Sequence, residues 1–339
     1  MPVTLKDLAE KTGYSITTVS RALAGYDDVN AKTRQHIMDT AVEMGYQPNM
    51  IARQLRSQRT QTLGLIIPFR DQSFSNDFFH QLMLGIGDQA ALAGYDLLIS
   101  AQTPGEHEMA AYQRIVGGNR VDGMILARTR HHDPRIAYLK KLSHPFVVYG
   151  RSAPDESSDF PYIDVDSQVG IQSAVTHLIE QGHQHIGLLL PPEEMAFTEY
   201  RLQGYRSALE ASDLPYEPGY VLYGDLLCSG GYTGAQTLLD HFPQLTALAA
   251  CNDLMALGAM SAVQAQGRII GQEFGITGFD DIPAAEYAHP PLTTIRQPIY
   301  EIGQRLVQML LGIIDGEPLH ETQFTLKPEL IVRISSLTM

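Results

Sequence analysis

The sequence is poor in cysteine and has no long apolar run, and both shortages narrow the class of protein. It contains only Cys228 and Cys251 in 339 residues, so one disulfide is allowed, but two buried free thiols in a reducing cytosol are the favoured interpretation. No apolar run reaches the ~18 residues of a membrane-spanning helix. The apolar core of a signal peptide is missing from the amino-terminal MPVTLKDLAEKTG. We therefore predict a soluble, cytoplasmic protein that does not contact a membrane.

Motifs that carry catalysis are missing as well. The chain has no GxSxG elbow, no HExxH pair and no GxxxxGK[ST] phosphate loop. The histidine pairs 131/132 and 183/185 lack acidic or cysteine partners at the spacing of metal ligands, so we interpret them as loop and strand-entrance residues. We predict that the protein is not an enzyme and holds neither a cofactor nor a metal.

Charge is distributed unevenly along the chain. The net charge is -14, but residues 1–60 carry eight Lys or Arg and six Asp or Glu, which leaves +2 there and -16 elsewhere. A mildly basic head on an acidic body is typical of a protein that touches phosphate with one end only. With 44% hydrophobic and 18% charged residues, the composition is otherwise that of a globular protein.

The basic head has the pattern of three short helices. Thr4 is a plausible N-cap for a helix over residues 4–11, and Gly13 opens a short turn after it. Ser15 caps a second helix that Gly25 closes, and a third helix fits residues 33–45. Two short helices joined by a tight turn are the helix-turn-helix pattern of DNA-binding proteins.

The rest of the chain alternates apolar strands with helices. The alternation begins at TLGLIIP, runs to FVVYG, restarts after YIDVD and ends near GITGFD. This pattern predicts an α/β fold with two doubly wound parallel sheets, each covered on both faces. Ligands of such sheets lie beyond the carboxyl ends of the strands, so the default binding site is the cleft between two similar lobes.

At this point the sequence resembles the lactose-repressor/galactose-repressor (LacI/GalR) family of bacterial regulators. The resemblance rests on segments spread in order over nearly the whole chain: TLKDLAEKTGYSITTVSRAL, YIDVDSQVGIQSAVTHLIEQGHQHIGLL, RLQGYRSAL, ACNDLMALGAM and GITGFDDIPAAEYAHPPLTTIRQP. The segment RIVGGNRVDGMILARTRHHDPRIAYLKKLSHPFVVYGRS is most similar to regulators that respond to α-glucosides or other oligosaccharides. The resemblance implies a helix-turn-helix head followed by two lobes of the periplasmic-binding-protein type.

The same resemblance predicts the domain boundaries. Residues 1–60 form the DNA-binding head and a hinge helix at about 49–58, and residues 61–339 form the effector-binding and dimerisation core. The first lobe spans about 61–163 and 294–325. The second lobe spans about 164–293 and 326–339. The chain ends without an additional heptad helix, which favours a dimer over a tetramer.

The predicted DNA contacts lie on the second helix and on the hinge. Ile16, Thr17, Thr18 and Arg21 share one face of the second helix, and the resemblance places Ile16 and Thr17 against base edges. The helix entrance supplies candidates for phosphate contact, Tyr14 and Ser15. In the hinge, Leu55 matches the family's minor-groove wedge, and its neighbours are Ala52, Arg53 and Arg56. Each head reads a half-site, so the predicted partner is a palindromic double-stranded operator bound by a homodimer.

The predicted effector is a polar, neutral molecule, a sugar or an oligosaccharide, held between the lobes. The resemblance aligns Asp280 with the family's hydroxyl-binding carboxylate and Arg201 with its effector-binding arginine. Planar carboxylate, amide and guanidinium groups bond two hydroxyls at once. Further candidates are strand-end polar residues and aromatic faces: Phe79, Arg128, Arg151, Phe197, Asn252 and Gln297.

Together these features predict a repressor of carbohydrate uptake or catabolism that its sugar effector releases from DNA. The alternative is a two-lobed sugar-binding protein of a transport system, which shares the body. The helix-turn-helix and the missing signal peptide oppose that alternative.

Overall fold

The computed structural model describes residues 3–46, 59–68 and 77–338. The chain divides into two compact units, Met1–Arg59 and Thr60–Met339. The predicted hinge lies outside the described residues, together with its proposed DNA contacts Ala52, Arg53, Leu55 and Arg56.

The first unit is a small bundle of three helices, α1 (Leu5–Thr12), α2 (Ile16–Leu23) and α3 (Ala31–Glu43). Thr4 starts α1 with a capping box: its hydroxyl accepts the Asp7 N–H at 3.3 Å, and the Asp7 carboxylate accepts the Thr4 N–H at 2.8 Å. Gly13 ends the helix in the left-handed conformation, with φ of +74°. The three helices pack around one hydrophobic core, which is formed by Leu8, Ala9, Val19, Ala22, Val29, Ile37 and Ala41. The predicted helix-turn-helix is confirmed, and α3 begins two residues earlier than predicted.

The second unit begins with alternating strands and helices of the first lobe. They are β1 (Thr62–Pro68), α4 (Asp77–Leu92), β2 (Asp96–Gln102), α5 (Glu106–Gly117), β3 (Gly123–Ala127), α6 (Pro134–Lys141), β4 (Phe146–Tyr149) and β5 (Tyr162–Val165). The central strands β3 and β4 are buried along their whole length, as the continuous apolar runs predict.

The chain then crosses to the second lobe and repeats the alternation. The elements are α7 (Ser167–Glu180), β6 (Ile186–Leu190), α8 (Phe197–Ala211), β7 (Val221–Tyr223), α9 (Cys228–His241), β8 (Ala247–Ala250), α10 (Asp253–Ala265), β9 (Gly275–Asp280), α11 (Pro283–Tyr287) and β10 (Thr293–Arg296). Both cysteines are free, but Cys228 is exposed at the start of α9, so the expectation of two buried thiols holds only for Cys251.

After β10 the chain returns to the first lobe, where it forms α12 (Ile299–Asp315) and β11 (Gln323–Leu326). It then ends in the second lobe, where it forms β12 (Glu329–Ile331). The strand order is β11-β5-β4-β3-β1-β2 in the first sheet and β12-β10-β9-β8-β6-β7 in the second. All pairings are parallel except that of β10 with β12. The predicted α/β class with two parallel-dominated sheets is confirmed.

The strands change sheet a few residues away from the predicted lobe boundaries. β5 pairs with β4 and β11 in the first sheet, so the first crossing follows Val165 rather than residue 163. The predicted boundary at 293/294 falls inside β10, which pairs with β9 in the second sheet. Ile295 is the one apolar residue of this strand, so the segment lacks the continuous apolar run that identifies the other buried strands. No helix in the described part of the chain combines the length and the apolar character needed to cross a bilayer.

Candidate functional site

A cavity of about 680 Å³, part of it open to solvent, lies between the two lobes. Its walls come from the carboxyl ends of strands in both sheets, where doubly wound folds place their ligands. The first lobe contributes residues that follow β3 and β4 together with Asp164 of β5, and the second lobe contributes residues of α8 and those that end β8, β9 and β10.

A chain of hydrogen bonds crosses the cavity wall from one lobe to the other. The Tyr149 hydroxyl at the end of β4 donates to Gln297 Oε1 at 2.8 Å. The Gln297 amide in turn donates from Nε2 to Asp280 Oδ1 at 2.6 Å. The second oxygen of the Asp280 carboxylate is not used in this chain, so Asp280 keeps acceptor capacity toward the cavity.

Arg201 of α8 is buried and is held mainly by aromatic faces. Its guanidinium carbon lies 4.6 Å from the ring centre of Phe197 and 4.2 Å from that of Phe279. Nη1 donates a short hydrogen bond to the Cys251 carbonyl. Nε has no hydrogen-bond partner among the described residues. Arg201 and Asp280 thus bond to other groups, and no salt bridge joins the two among the described residues.

The first lobe places two further arginines at the cavity. Arg151 Nε lies 3.0 Å from Asp164 Oδ2, and its guanidinium stacks 4.0 Å from the ring centre of Tyr200 in the second lobe. Arg128 follows β3 in the left-handed region with φ of +54°, and its guanidinium lies 4.7 Å from the ring centre of Phe79.

Burial changes the acidity of the carboxyl groups in this region. It raises the pKa of Asp280 to about 7, although Arg201, the hydrogen bond from Gln297 and Arg128 lower it. Burial also raises the pKa of Asp164 to about 6, although the positive charge of the Arg151 guanidinium lowers it. Behind the wall, the pKa of Asp253 rises to about 8 through burial and repulsion by Asp280. Such perturbed groups in a cleft are typical of a binding site.

The structure brings most of the predicted effector residues together. The cavity is lined by Arg128, Arg151, Phe197, Arg201, Asn252, Asp280 and Gln297. The exception is Phe79, which is buried beneath the wall and supports Arg128, while its neighbour Phe78 lines the cavity and stacks on Tyr149 at 5.6 Å. Phe78 and not Phe79 lines the cavity because the rotation of α4 about its axis is set by packing and not by the strand end.

Asn252 has a second role as the N-cap of α10. Its side-chain oxygen accepts the Met255 N–H at 3.0 Å and so caps α10, and its amide donates to the Leu226 carbonyl at 3.0 Å. Asp253 is fully buried and accepts the Ile282 N–H at 2.8 Å.

Several cavity residues were not predicted from the sequence. They are Phe78, Thr129, Tyr149, Gly150, Asp164, Ser167, Tyr200 and Leu226. Asp164 is an acidic residue inside an apolar strand, which is a usable signal because carboxylates are rarely buried unless a partner is present, here Arg151. The other seven residues could not be identified from the sequence as part of a site, because the residues that they face across the cavity lie far away in the chain.

In the head, the proposed reading face of α2 is partly occupied by its own contacts. Tyr14, Ser15, Ile16, Thr17 and Arg21 are exposed, and Thr18 is half-buried. The Ser15 hydroxyl accepts the Thr18 N–H at 3.1 Å as the N-cap of α2. Arg21 forms an ion pair with Asp28 at 2.6 Å and lies 4.8 Å from the ring centre of Tyr26. Asp28 therefore competes with DNA for the Arg21 guanidinium.

The chain matches known proteins over nearly its whole length. A family model for the bacterial regulatory proteins of the lacI family matches residues 4–49, and one for a periplasmic binding protein-like domain matches residues 175–336. The HTH-type transcriptional regulator CelR of Thermobifida fusca is 33% identical over 335 residues, which cover 98% of each chain.

Two solved structures share the architecture. A transcriptional regulator CelR–cellobiose complex superposes with a TM-score of 0.77 at 31% identity, covering 98% of this chain and 99% of the other. The Lac repressor dimer bound to operator and the anti-inducer ONPF gives a TM-score of 0.87 at 28% identity, covering 99% of this chain and 100% of the other.

A helix-turn-helix joined to a two-lobed binding body defines the class as DNA-binding transcriptional regulators and not enzymes. Within that class, the chain belongs to the LacI family of bacterial regulatory proteins.

Proposed function

We propose that this regulator represses genes of carbohydrate uptake or catabolism in the cytoplasm, and that a sugar bound between its lobes releases it from its operator. One observation carries the proposal: carboxylate, amide and guanidinium groups of both lobes face one cavity in a chain that also holds a helix-turn-helix. The related CelR structure holds cellobiose, which supports a sugar as the ligand here.

The sugar hydroxyls would pair with the groups that keep free hydrogen-bonding capacity. Asp280 supplies a carboxylate oxygen, and Arg201 supplies the Nε–H that has no partner among the described residues. Arg151 and Asp164 offer a donor and an acceptor from the first lobe. The aromatic surfaces Phe78, Phe197 and Tyr200 would cover the apolar faces of the sugar ring.

The operator contacts are proposed for α2 and the hinge. Ile16 and Thr17 are exposed on α2 and suit base edges, while Tyr14 and Ser15 suit phosphates. The hinge residues Ala52, Arg53, Leu55 and Arg56 stay predictions. A homodimer is supported by exposed apolar side chains on α4 and the edge strand β2, Leu84, Leu92 and Ile99, and the related Lac repressor is a dimer on its operator.

Two variants of the full chain separate the two halves of this proposal. Thr17→Ala with Arg21→Ala removes candidate base and phosphate contacts, and we expect operator affinity to fall by at least about 10-fold with sugar affinity unchanged. Asp280→Ala removes a charged hydrogen bond in the cavity, and we expect sugar affinity to fall by more than about 2 kcal/mol, with operator affinity in the absence of sugar unchanged.

The measurements are selection of operator duplexes from random DNA, gel shift, and calorimetry with a panel of mono-, di- and trisaccharides. A selected sequence with two-fold symmetry, and its release by the sugar that binds, are the expected results. The proposal fails if no duplex is selected, or if Asp280→Ala binds the sugar as tightly as the natural chain.

A further inference from the structure

Two turns of the first lobe place a histidine beside two carboxylates, outside the cavity. One turn follows β3 and carries His131 and His132, and the other follows β4 and carries Asp155 and Glu156. Within the described residues, His131, Asp155 and Glu156 form the one group of three potential metal ligands whose donor atoms all lie within 4.8 Å of one another. The sequence had no such signal because 24 positions separate His131 from Asp155.

Among the three residues, Glu156 is the one that ties the two turns together. Its main-chain N–H donates to the Ala153 carbonyl at 3.0 Å, which closes its own turn. The Glu156 Oε1 accepts the main-chain N–H of His132 at 2.9 Å, which ties the two turns together. Only 16% of its side chain is exposed. The hydrogen bond from the His132 main chain and the burial of the side chain therefore hold the Glu156 carboxylate at the histidine turn.

The spacing of the donor atoms suits a shared cation. His131 Nδ1 lies 3.4 Å from Glu156 Oε1, and His132 Nδ1 lies 3.5 Å from the same oxygen. Ligands bonded at roughly 2.1 Å to a tetrahedral ion lie about 3.4 Å apart. One imidazole with two carboxylates is a donor set for first-row transition ions, because Ca²⁺ and Mg²⁺ prefer oxygen alone.

We propose that His131, Asp155 and Glu156 bind a divalent transition-metal ion, with Zn²⁺ as the reference ion. Three protein ligands leave one position for water or for His132, whose side chain is 87% exposed and is able to turn toward the ion. This site is separate from the sugar cavity and does not depend on the proposed repressor function.

The location gives the ion a structural consequence. The main-chain N–H of His131 donates to the Glu194 carbonyl of the second lobe at 3.0 Å, and Arg130 forms a β-bridge with Met195 beside it. A bound ion would hold the histidine turn in the position that makes these contacts between the lobes. The ion is thus expected to stabilise the arrangement of the lobes seen here and to raise the melting temperature.

The test is calorimetric titration of the full chain with ZnCl₂, for the natural chain and for His131→Ala, Glu156→Gln and the control His107→Ala. His107 is an exposed histidine of α5 that does not belong to the group. We expect one saturable Zn²⁺ site per chain, an affinity at least about 10-fold weaker in His131→Ala and Glu156→Gln, and unchanged affinity in His107→Ala. MgCl₂ should not compete.

The proposal is overturned if no saturable site is found, or if His131→Ala and Glu156→Gln bind Zn²⁺ like the natural chain. His131→Ala changes an exposed ring and leaves the backbone contacts intact, so it remains informative if Glu156→Gln folds poorly. The circular-dichroism spectrum of each variant without metal checks that the fold is kept.

Discussion

At the scale of single residues, Asp280 lies on an unusual stretch of main chain. Its φ is +122° and that of Asp281 is +56°, both in a region that residues with a side chain rarely adopt. Strain of this kind is kept at ligand sites when neighbouring contacts hold it. Here Asp253 accepts the Ile282 N–H, and Asp281 accepts from Arg296 Nε and Arg333 Nη2, both at 2.7 Å. The turn presents the Asp280 carboxylate to the cavity.

The buried carboxyl group of Asp280 should couple stability to pH. Its pKa rises from 3.8 to about 7 on folding, so between these values the folded chain holds a proton that the unfolded chain has lost. The free energy of unfolding therefore falls as pH rises through this window. Asp280→Asn removes the buried charge, and we expect it to raise the free energy of unfolding more at pH 8 than at pH 5, by about 1.4 kcal/mol for each pH unit between pH 5 and pH 7.

Urea denaturation at the two pH values measures this effect, with Asp281→Asn as the matched control. Asp281 accepts from two arginines, so its replacement should lower stability at both pH values. An Asp280→Asn chain that is equally or less stable at pH 8 would contradict the assignment of a buried, destabilised charge.

At the scale of elements, neighbouring helices cross each other at glycines. On α4 and α12, a Cβ on Gly85 would lie 2.1 Å from the Tyr300 carbonyl oxygen, and one on Gly303 would lie 2.7 Å from that of Leu82. The same close approach recurs in the second lobe, between α9 and α10, at Gly231 and Gly258. These contacts set the depth at which helices cover the sheets, and so they position the strand ends at the cavity.

Gly303→Ala should therefore destabilise the chain. The added methyl group would meet backbone atoms that cannot move without separating α4 from α12, at a cost of about 1–3 kcal/mol. Chemical denaturation of the full chain measures the loss. Gly87→Ala is the matched control on α4, because nothing lies within 4 Å of its Cβ position, and there we expect no loss or a gain of up to about 1 kcal/mol from helix propensity. Equal stability of Gly303→Ala and the natural chain would show that the helices are not in contact at this point.

At the scale of the whole molecule, the two lobes are joined by the crossover segments of the chain and also by hydrogen bonds and a stacking contact between them. The main-chain N–H of Ala196 donates to the Thr129 carbonyl at 2.9 Å. The Tyr200 hydroxyl donates to the Ser152 carbonyl at 3.1 Å, and the ring of Tyr200 stacks on Arg151. A ligand that binds better to one arrangement of the lobes shifts the population of molecules toward that arrangement. The hydrogen bonds between the lobes stabilise the arrangement seen here.

Tyr200→Phe should weaken sugar binding without removing the aromatic surface. Loss of one hydrogen bond between the lobes, worth about 0.5–1.5 kcal/mol, predicts a sugar affinity lower by roughly 2- to 12-fold and a larger radius of gyration in the absence of sugar. Calorimetry and small-angle X-ray scattering measure the two effects.

Tyr216→Phe is the control, because the Tyr216 hydroxyl bonds Arg206 within the second lobe at 3.2 Å. Unchanged affinity and scattering for Tyr200→Phe would exclude a role of this bond in the position of the lobes.

Much of the fold and part of the site follow from the sequence alone. The helix-turn-helix follows because Thr4, Ser15 and Gly13 cap and end helices through contacts a few residues away. The sheets follow because strands buried on both faces have to be continuously apolar. Asn252 follows such a strand, where ligands of doubly wound sheets lie, and the family resemblance pointed to Asp280; both residues line the cavity.

Only the tertiary structure decided the features that depend on distant segments. The rotation of α4 turned Phe78 and not Phe79 toward the cavity. Packing between lobes set Tyr200 against Ser152, and the approach of two turns brought Asp155 and Glu156 to His131. Local patterns report the periodicity and caps of an element because these act within a few residues. Rotation, burial and ligand distances are set by contacts between segments far apart in the chain, and for these a short pattern holds no signal.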